Sequence, residues 1–119
     1  MSKILVVDDS PTDLLKIKQI VTGAGHKVIT AQSGEEAIEI AQKELPDMIF
    51  MDVIMKQVNG FKACKTITKE ASTQHIPVIL VSSKSQKADH MWAKTQGATA
   101  LVGKPYEPAQ ILEQLERLG

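Results

Sequence analysis

Five side chains in this sequence have the types and the spacing to do chemistry together: Asp8, Asp9, Asp52, Ser82 and Lys104. Asp52 is the most telling of them. It follows the apolar run Met48-Ile-Phe-Met51 and precedes Val53-Ile-Met55, and an ionised carboxylate is costly to desolvate in such company unless something pairs with it. Were Asp8 and Asp9 to meet it, three carboxylates would repel by roughly 4 kcal/mol per close pair at an intermediate dielectric. A cation must then hold them together. A hard divalent ion with oxygen ligands suits the set, and Mg²⁺ takes one or two carboxylates together with waters and a phosphate. Lys104 adds a mobile positive charge and Ser82 a hydroxyl. The chemistry this set fits is phosphoryl transfer, which asks a protein for positioning and charge neutralisation. Asp52 is the candidate nucleophile, since carboxylates form aspartyl-phosphates. Asp8 and Asp9 are candidate metal ligands, and Lys104 is the partner of the phosphoryl oxygens.

For these residues to meet, each must sit at the end of an element. Lys3-Ile-Leu-Val-Val-Asp8 is a buried-strand pattern closed by the acidic pair. Ser10-Pro11-Thr12 opens a helix in which Leu14, Ile17, Ile20, Val21 and Ala24 recur at helical spacing, with Gly23 and Gly25 at its end. A second strand follows at Lys27–Ala31. Ser33-Gly-Glu-Glu36 is a capping-box pattern for a helix that carries Ala37, Ile40 and Ala41 inward until Pro46 stops it. The strand ending at Asp52 is short, apolar and buried on both faces. Asn59-Gly60 then starts a helix with Phe61, Cys64 and Ile67 on one side. Pro77–Val81 is a fourth strand, running into Ser82-Ser83. A polar helix from about Gln86 to Gln96 bears Met91 and Trp92. Thr99–Val102 is a short fifth strand, and the last helix starts near Pro108 and buries Ile111, Leu112, Leu115 and Leu118.

Five strands alternating with five helices predict an α/β domain with a parallel sheet. Right-handed crossovers and the need to cover both faces give double winding. Of the doubly wound orders, 2-1-3-4-5 places strands one and three side by side with a crevice at their carboxyl ends, where ligands bind in open α/β sheets. Four strand ends then present polar chemistry to one place. The fifth, at Ala31, belongs to an edge strand and presents none.

Composition closes off several other functions. The chain has 119 residues, enough for one domain with a sizeable core. Its 14 basic and 14 acidic residues cancel, so no global field favours nucleic acid or an anionic membrane. A single cysteine, Cys64, excludes an intrachain disulfide and a cysteine-based zinc site, and fits a buried place on helix three in a reducing, cytoplasmic setting. The first apolar run is too short for a signal peptide core or a membrane span. His26, His75 and His90 lack ligand spacing and read as surface residues, and none sits by a Ser or Cys motif, so a hydrolase triad has no support.

Asp8-Asp9, Asp52, Ser82 and Lys104-Pro105, with Val53-Ile-Met-Lys-Gln-Val-Asn-Gly60 after the central acid, resemble the receiver domain of response regulators. The resemblance spans residues 1–119 as one receiver domain. It implies the same 2-1-3-4-5 order, so that expectation and the family are not independent. It also implies a phosphorylation-dependent switch of a two-component phosphorelay, with a histidine kinase of the chemotaxis type donating the phosphoryl group to Asp52. Mg²⁺ would be held by Asp9, Asp52 and the backbone carbonyl of Ile54, with Asp8 assisting through water. The Lys104-Pro105 bond would be cis. Ser82 would move toward the phosphoryl group and signal to a downstream protein through helix four, strand five and helix five. A narrower resemblance, in Ser83-Lys-Ser-Gln-Lys-Ala-Asp89, Trp92 and Gln96-Gly-Ala98, is to single-receiver regulators of type IV pilus twitching motility.

The departures are informative. Lys56 stands where the family often has Pro, which predicts a less rigid loop after Asp52. Leu101 stands where many members have an aromatic residue that turns inward on activation. Leucine has no polar tip, so a rotamer switch hydrogen-bonded to Ser82 is excluded there. Lys84 occupies a position that tunes phosphoryl lifetime in the family. Trp92 reads either as packed on the sheet or as an exposed contact residue. With the chain ending soon after helix five, output is expected through protein contacts or by passing the phosphoryl group onward, with no nucleic-acid binding and no membrane insertion. The alternative is a receiver excised from a longer regulator. Two other functions fit less well. A phosphatase using an aspartyl-phosphate would place an Asp-x-Asp pair on the first strand, and a flavin module would need a phosphate loop where Asp8-Asp9 would repel the phosphate.

Overall fold

The computed structural model describes residues 2–55 and 58–118. The expectation for Lys56 falls outside the described residues. Apolar, β-branched runs form five strands: β1 (Lys3–Val7), β2 (Lys27–Ala31), β3 (Met48–Asp52), β4 (Val78–Ser82) and β5 (Ala100–Gly103). They alternate with helices α1 (Pro11–Gly23), α2 (Gly34–Glu44), α3 (Gly60–Lys69), α4 (Lys87–Thr95) and α5 (Pro108–Leu115), the last running on into a 3-10 turn at Glu116–Leu118. All strand pairs are parallel, and the order is β2-β1-β3-β4-β5. The expected fold is the observed one.

Strand alternation divides the core in two. Leu5, Val7, Ile49, Met51 and Leu80 face α2, α3 and α4, while Ile4, Val6, Met48, Phe50, Ile79 and Val81 face α1 and α5. β3 and β4 are buried at every position, which is why their sequences are continuously apolar. Helix starts follow the sequence signals. Ser10, Ser33 and Asn59 each accept a hydrogen bond from the backbone N–H three residues on. The capping box at α2 is displaced by one residue, since Glu36 Oε1 accepts from Gln32 N at 3.1 Å rather than from Ser33. α2 ends where Leu45 takes a left-handed conformation at φ 45°, just before Pro46.

Some expectations need correction at their edges. β4 starts at Val78 because Pro77 has no N–H to give the ladder, although its carbonyl accepts from Ile49 N at 3.0 Å. Leu112 is not buried but 40% exposed. The two turns of α5 present only Ile111 and Leu115, four residues apart, to the sheet, and Leu112 is rotated past that stripe to the rim. Ala24 is exposed beyond the end of α1, and Ile20 and Ile40 are only half-buried. Cys64 is buried on α3, as expected.

Candidate functional site

The register of the sheet assembles the site. Val7 pairs with Met51 and Asp52 with Val81, so the ends of β1, β3 and β4 lie level and the residues after β1 emerge beside Asp52. Asp8, Asp9 and Asp52 each place a carboxylate oxygen within 4.8 Å of the others. Asp8 is 1% exposed and Asp52 7%, while Asp9 is half-buried. Asp8 is fixed at both ends: its backbone N–H donates to the Ala31 carbonyl at 3.1 Å, and its Oδ1 accepts from Ser10 N at 2.9 Å. The cap of α1 therefore also orients an acid of the site.

Lys104 reaches this cluster from the end of β5. Its Nζ lies 2.9 Å from Asp52 Oδ1, 3.3 Å from Asp8 Oδ2 and 3.1 Å from Asp13 Oδ2. The Lys104-Pro105 peptide is cis, as the resemblance implied. The amide of Lys104 donates to the Ser82 carbonyl at 2.7 Å, tying the β5 end to the β4 end. Burial pushes the Asp52 carboxyl above the usual carboxylate range; the Lys104 bond opposes this, and Asp8 and Asp9 add to it. Lys104 is held above the ordinary lysine range. Burial disfavours its charge, but its bonds to Asp52 and Asp13 outweigh that cost.

Ser82 lies at the mouth of the crevice, 3% exposed, and its Oγ accepts from Lys84 N at 3.0 Å. Among the described residues, no hydrogen bond joins it to Asp52 in this arrangement. The side chain of Ile54 is 58% exposed beyond the end of β3. Gly60 holds the return of the chain against the acceptor. Its amide donates to the Val53 carbonyl at 2.8 Å, and a Cβ there would press on the Asp52 carbonyl and come within 2.8 Å of Val53 Cα.

Two residues of the site carry no signal in the sequence. Asp13 lies in the first turn of α1 and pairs with Lys104 because the long lysine side chain reaches from the end of β5 across to the start of α1. Tyr106, buried just past the cis bond, has Lys16 Nζ 4.6 Å from its ring centre, and burial pushes its hydroxyl up to about 12. A lone aspartate in a first helical turn is commonplace. A tyrosine after Lys-Pro is conspicuous only once Lys104 is known to turn inward.

The donor set fits a hard cation. It offers oxygen ligands from three carboxylates, and one ammonium against four acids leaves negative charge to be neutralised. Fold and crevice thus define a flavodoxin-like α/β protein with a cation-suited acidic site at its topological switch point. The model of the response regulator receiver domain matches residues 4–116, and the chain belongs to that family. It is 40% identical over 115 residues to Protein PilH of Pseudomonas aeruginosa, covering 97% of this chain and 95% of that one. Among solved structures, the chemotaxis response regulator CheY4 of Vibrio cholerae superposes with a TM-score of 0.92 at 31% identity, covering 100% of this chain and 99% of that one. CheY in the CheX-CheY-BeF3-Mg²⁺ complex from Borrelia burgdorferi gives 0.91 at 25% identity, covering 98% and 88%.

Proposed function

We propose that this chain, as a single receiver unit, is a phosphorylation-dependent switch that accepts a phosphoryl group on Asp52 from a histidine kinase of the chemotaxis type. The observation that carries the reading is the Lys104 ammonium held simultaneously by Asp52, Asp8 and Asp13 beside the Asp8–Asp9–Asp52 cluster. In the transfer, a carboxylate oxygen of Asp52 attacks phosphorus and an O–P bond forms. The N–P bond of a phosphohistidine breaks, and the imidazole nitrogen keeps the electron pair. Lys104 exchanges a carboxylate partner for the phosphoryl oxygens, and the Ser82 hydroxyl turns from Lys84 N toward the new group. Asp9, Asp52 and the Ile54 carbonyl would hold Mg²⁺, with Asp8 behind them. When bound, the ion neutralises charge that builds on the carboxylates and the phosphoryl oxygens.

The Mg²⁺ assignment is supported by the donor chemistry and by the Borrelia CheY complex, which includes that ion. That complex, in which CheY is joined to CheX, also supports output through contacts with another protein. Here the downstream target would meet α4, β5 and α5. No helix among the described residues is long and apolar enough to cross a membrane. Similarity to PilH supports a place in the control of type IV pilus twitching. Acetyl phosphate with Mg²⁺ is expected to add one phosphoryl group, and Asp52→Asn to abolish the addition. Undiminished labelling of that variant, read by intact mass, would put the nucleophile elsewhere. Deletion in the host is expected to abolish twitching, and normal twitching would remove the pilus assignment.

A further inference from the structure

Trp92, the largest exposed apolar side chain of α4, turns toward α3 and not toward β5 and α5. Trp92 is 53% exposed and Met91 61%. The Trp92 ring meets the Phe61 ring of α3 edge to face, with centroids 6.3 Å apart and planes at 78°. Phe61 in turn walls a cavity of about 330 Å³ together with Ile54, Met55, Ser82, Lys84 and Asp89. One apolar surface therefore runs from Trp92 over Phe61 to the 58%-exposed Ile54, ending beside the acceptor. The other flank of α4 has a different character. Its groove of about 320 Å³ is lined by His90, Gln110, Glu113, Gln114 and Lys104 among others, and is largely polar.

Charge marks the apolar flank a second time. Lys62, Lys65 and Lys69 are exposed on α3, and Lys84 on the loop between β4 and α4. Against them stand Glu70, exposed at the far end of α3, and Asp89, which is half-buried and caps its own helix by accepting from Gln86 N at 3.0 Å. The chain as a whole balances 14 basic against 14 acidic residues, so this basic bias is local. α2 shows the opposite bias, with Glu35, Glu36, Glu39 and Glu44 against Lys43. An aromatic anchor ringed by cations selects a partner with apolar side chains and carboxylates.

We propose that the α3–α4 seam is a docking surface for an acidic, apolar-anchored helical segment of a partner protein. The anchors are Trp92, Phe61 and Ile54, and the charge complement comes from Lys62, Lys65 and Lys84. A protein segment fits better than a nucleic acid strand. Ile54 offers aliphatic contact for helix side chains, whereas strand binding is built on successive aromatic platforms. The surface gives the signalling reading its partner chemistry and rests on that reading for its purpose. Its geometry needs no phosphoryl group.

Trp92 is the chain's single tryptophan, so its emission reports occupancy of the seam directly. The probes are a short synthetic helical peptide with Leu and Phe on one face and Glu on the other, its Lys-for-Glu counterpart, a scrambled Glu peptide, and single-stranded oligothymidine. The Glu peptide is expected to shift Trp92 emission to the blue and to bind at least about tenfold tighter than the other three. Reversing charge in the double variant Lys62→Glu, Lys84→Glu should weaken it by about tenfold or more. Trp92→Ala, followed by calorimetry with folding checked by circular dichroism, should weaken it by about 30-fold. The Asp52→Asn protein should bind as the wild type does. Equal affinity for the Glu and Lys peptides, saturation without a change in Trp92 emission, tighter binding of oligothymidine, or loss of binding in Asp52→Asn would each overturn the proposal. Acetyl phosphate labelling of the same wild-type preparation tests the acceptor reading separately.

Discussion

At the scale of single residues, the site is a balance between carboxylates and one ammonium. Burial and the neighbouring acids hold the Asp52 carboxyl above its usual range even with Lys104 2.9 Å away. A carboxyl with a raised folded pKa contributes stability at low pH that is lost as pH rises through that value. At neutral pH without divalent ions, its ionised form is therefore a cost to the fold. Asp52→Asn is expected to raise the thermal midpoint in EDTA, because Lys104 keeps Asp8 and Asp13 as partners. Added Mg²⁺ should raise the wild-type midpoint by mass action and the variant's much less. A variant that melts below wild type in EDTA would contradict this account. Leu101 is a different case. It is 7% exposed and packs in the core under α4, so Leu101→Ala should cost about 2–4 kcal/mol yet leave Asp52 labelling near normal when assayed well below the midpoint. Collapse of labelling in the folded variant would show that Leu101 supports the site itself. The acids, Ser82 and Lys104 were legible in the sequence because each interrupts or ends an apolar run. Asp13 and Tyr106 were not, since their meaning depends on how the segment after β5 lies against the start of α1.

At the scale of elements, all five strands and five helices were legible, and most ends fall within a residue or two of their signals. Side-chain periodicity registers which face of a helix is apolar, but neither the width of the packed stripe nor where packing stops. Leu112 lies beside the stripe of Ile111 and Leu115, and Ala24 falls beyond the end of α1. What positions the acceptor is the tight junction between β3 and α3, and glycine is required there for space. At Gly60 a Cβ would come within 2.8 Å of Val53 Cα and 3.0 Å of the Asp52 carbonyl carbon, all of it backbone. Gly60→Ala is expected to cost roughly 1–3 kcal/mol, as other overpacked sites do, and to slow phosphoryl labelling by displacing the end of β3. Gly23 is the internal control. It ends α1 with nothing within 4 Å of the place a Cβ would take and with no positive φ, so Gly23→Ala should gain up to about 1 kcal/mol. Chemical denaturation of the two variants reads both signs, and equal midpoints for the pair would refute the steric argument.

At the scale of the whole molecule, three groups, Cys64 on α3 and Lys104 and Tyr106 on the segment between β5 and α5, make stability depend on alkaline pH in the same direction. Burial pushes the Cys64 thiol on α3 from 9.0 up to about 12. Burial likewise raises the Tyr106 hydroxyl from 10.0 to about 12, with Lys104 opposing the shift and Asp13 and Asp8 adding to it. Lys104 is raised as well, its carboxylate partners outweighing its burial. Each group keeps its proton in the folded chain at a pH where the unfolded chain has released it. Folding is then linked to proton binding, and the stability these groups contribute is complete below about pH 9 and lost as pH climbs toward about 12. Past pH 9 the slope from Cys64 alone approaches about 1.4 kcal/mol per pH unit, and it roughly doubles once the unfolded tyrosine begins to ionise above pH 10. Denaturant titrations at intervals from pH 8 to about 11.5 would record this fall. Cys64→Ala separates the thiol's share from the rest. Removing the sulfur also forfeits its weak bond to the Gln96 carbonyl at 3.5 Å and some packing, so the variant starts lower at neutral pH. Its slope between pH 9 and 10 should nonetheless be shallower by about 1 kcal/mol per unit. Parallel curves for variant and wild type would mean that the thiol ionises as easily in the fold as out of it, which a side chain buried beneath α3 with no cation beside it has no means to do.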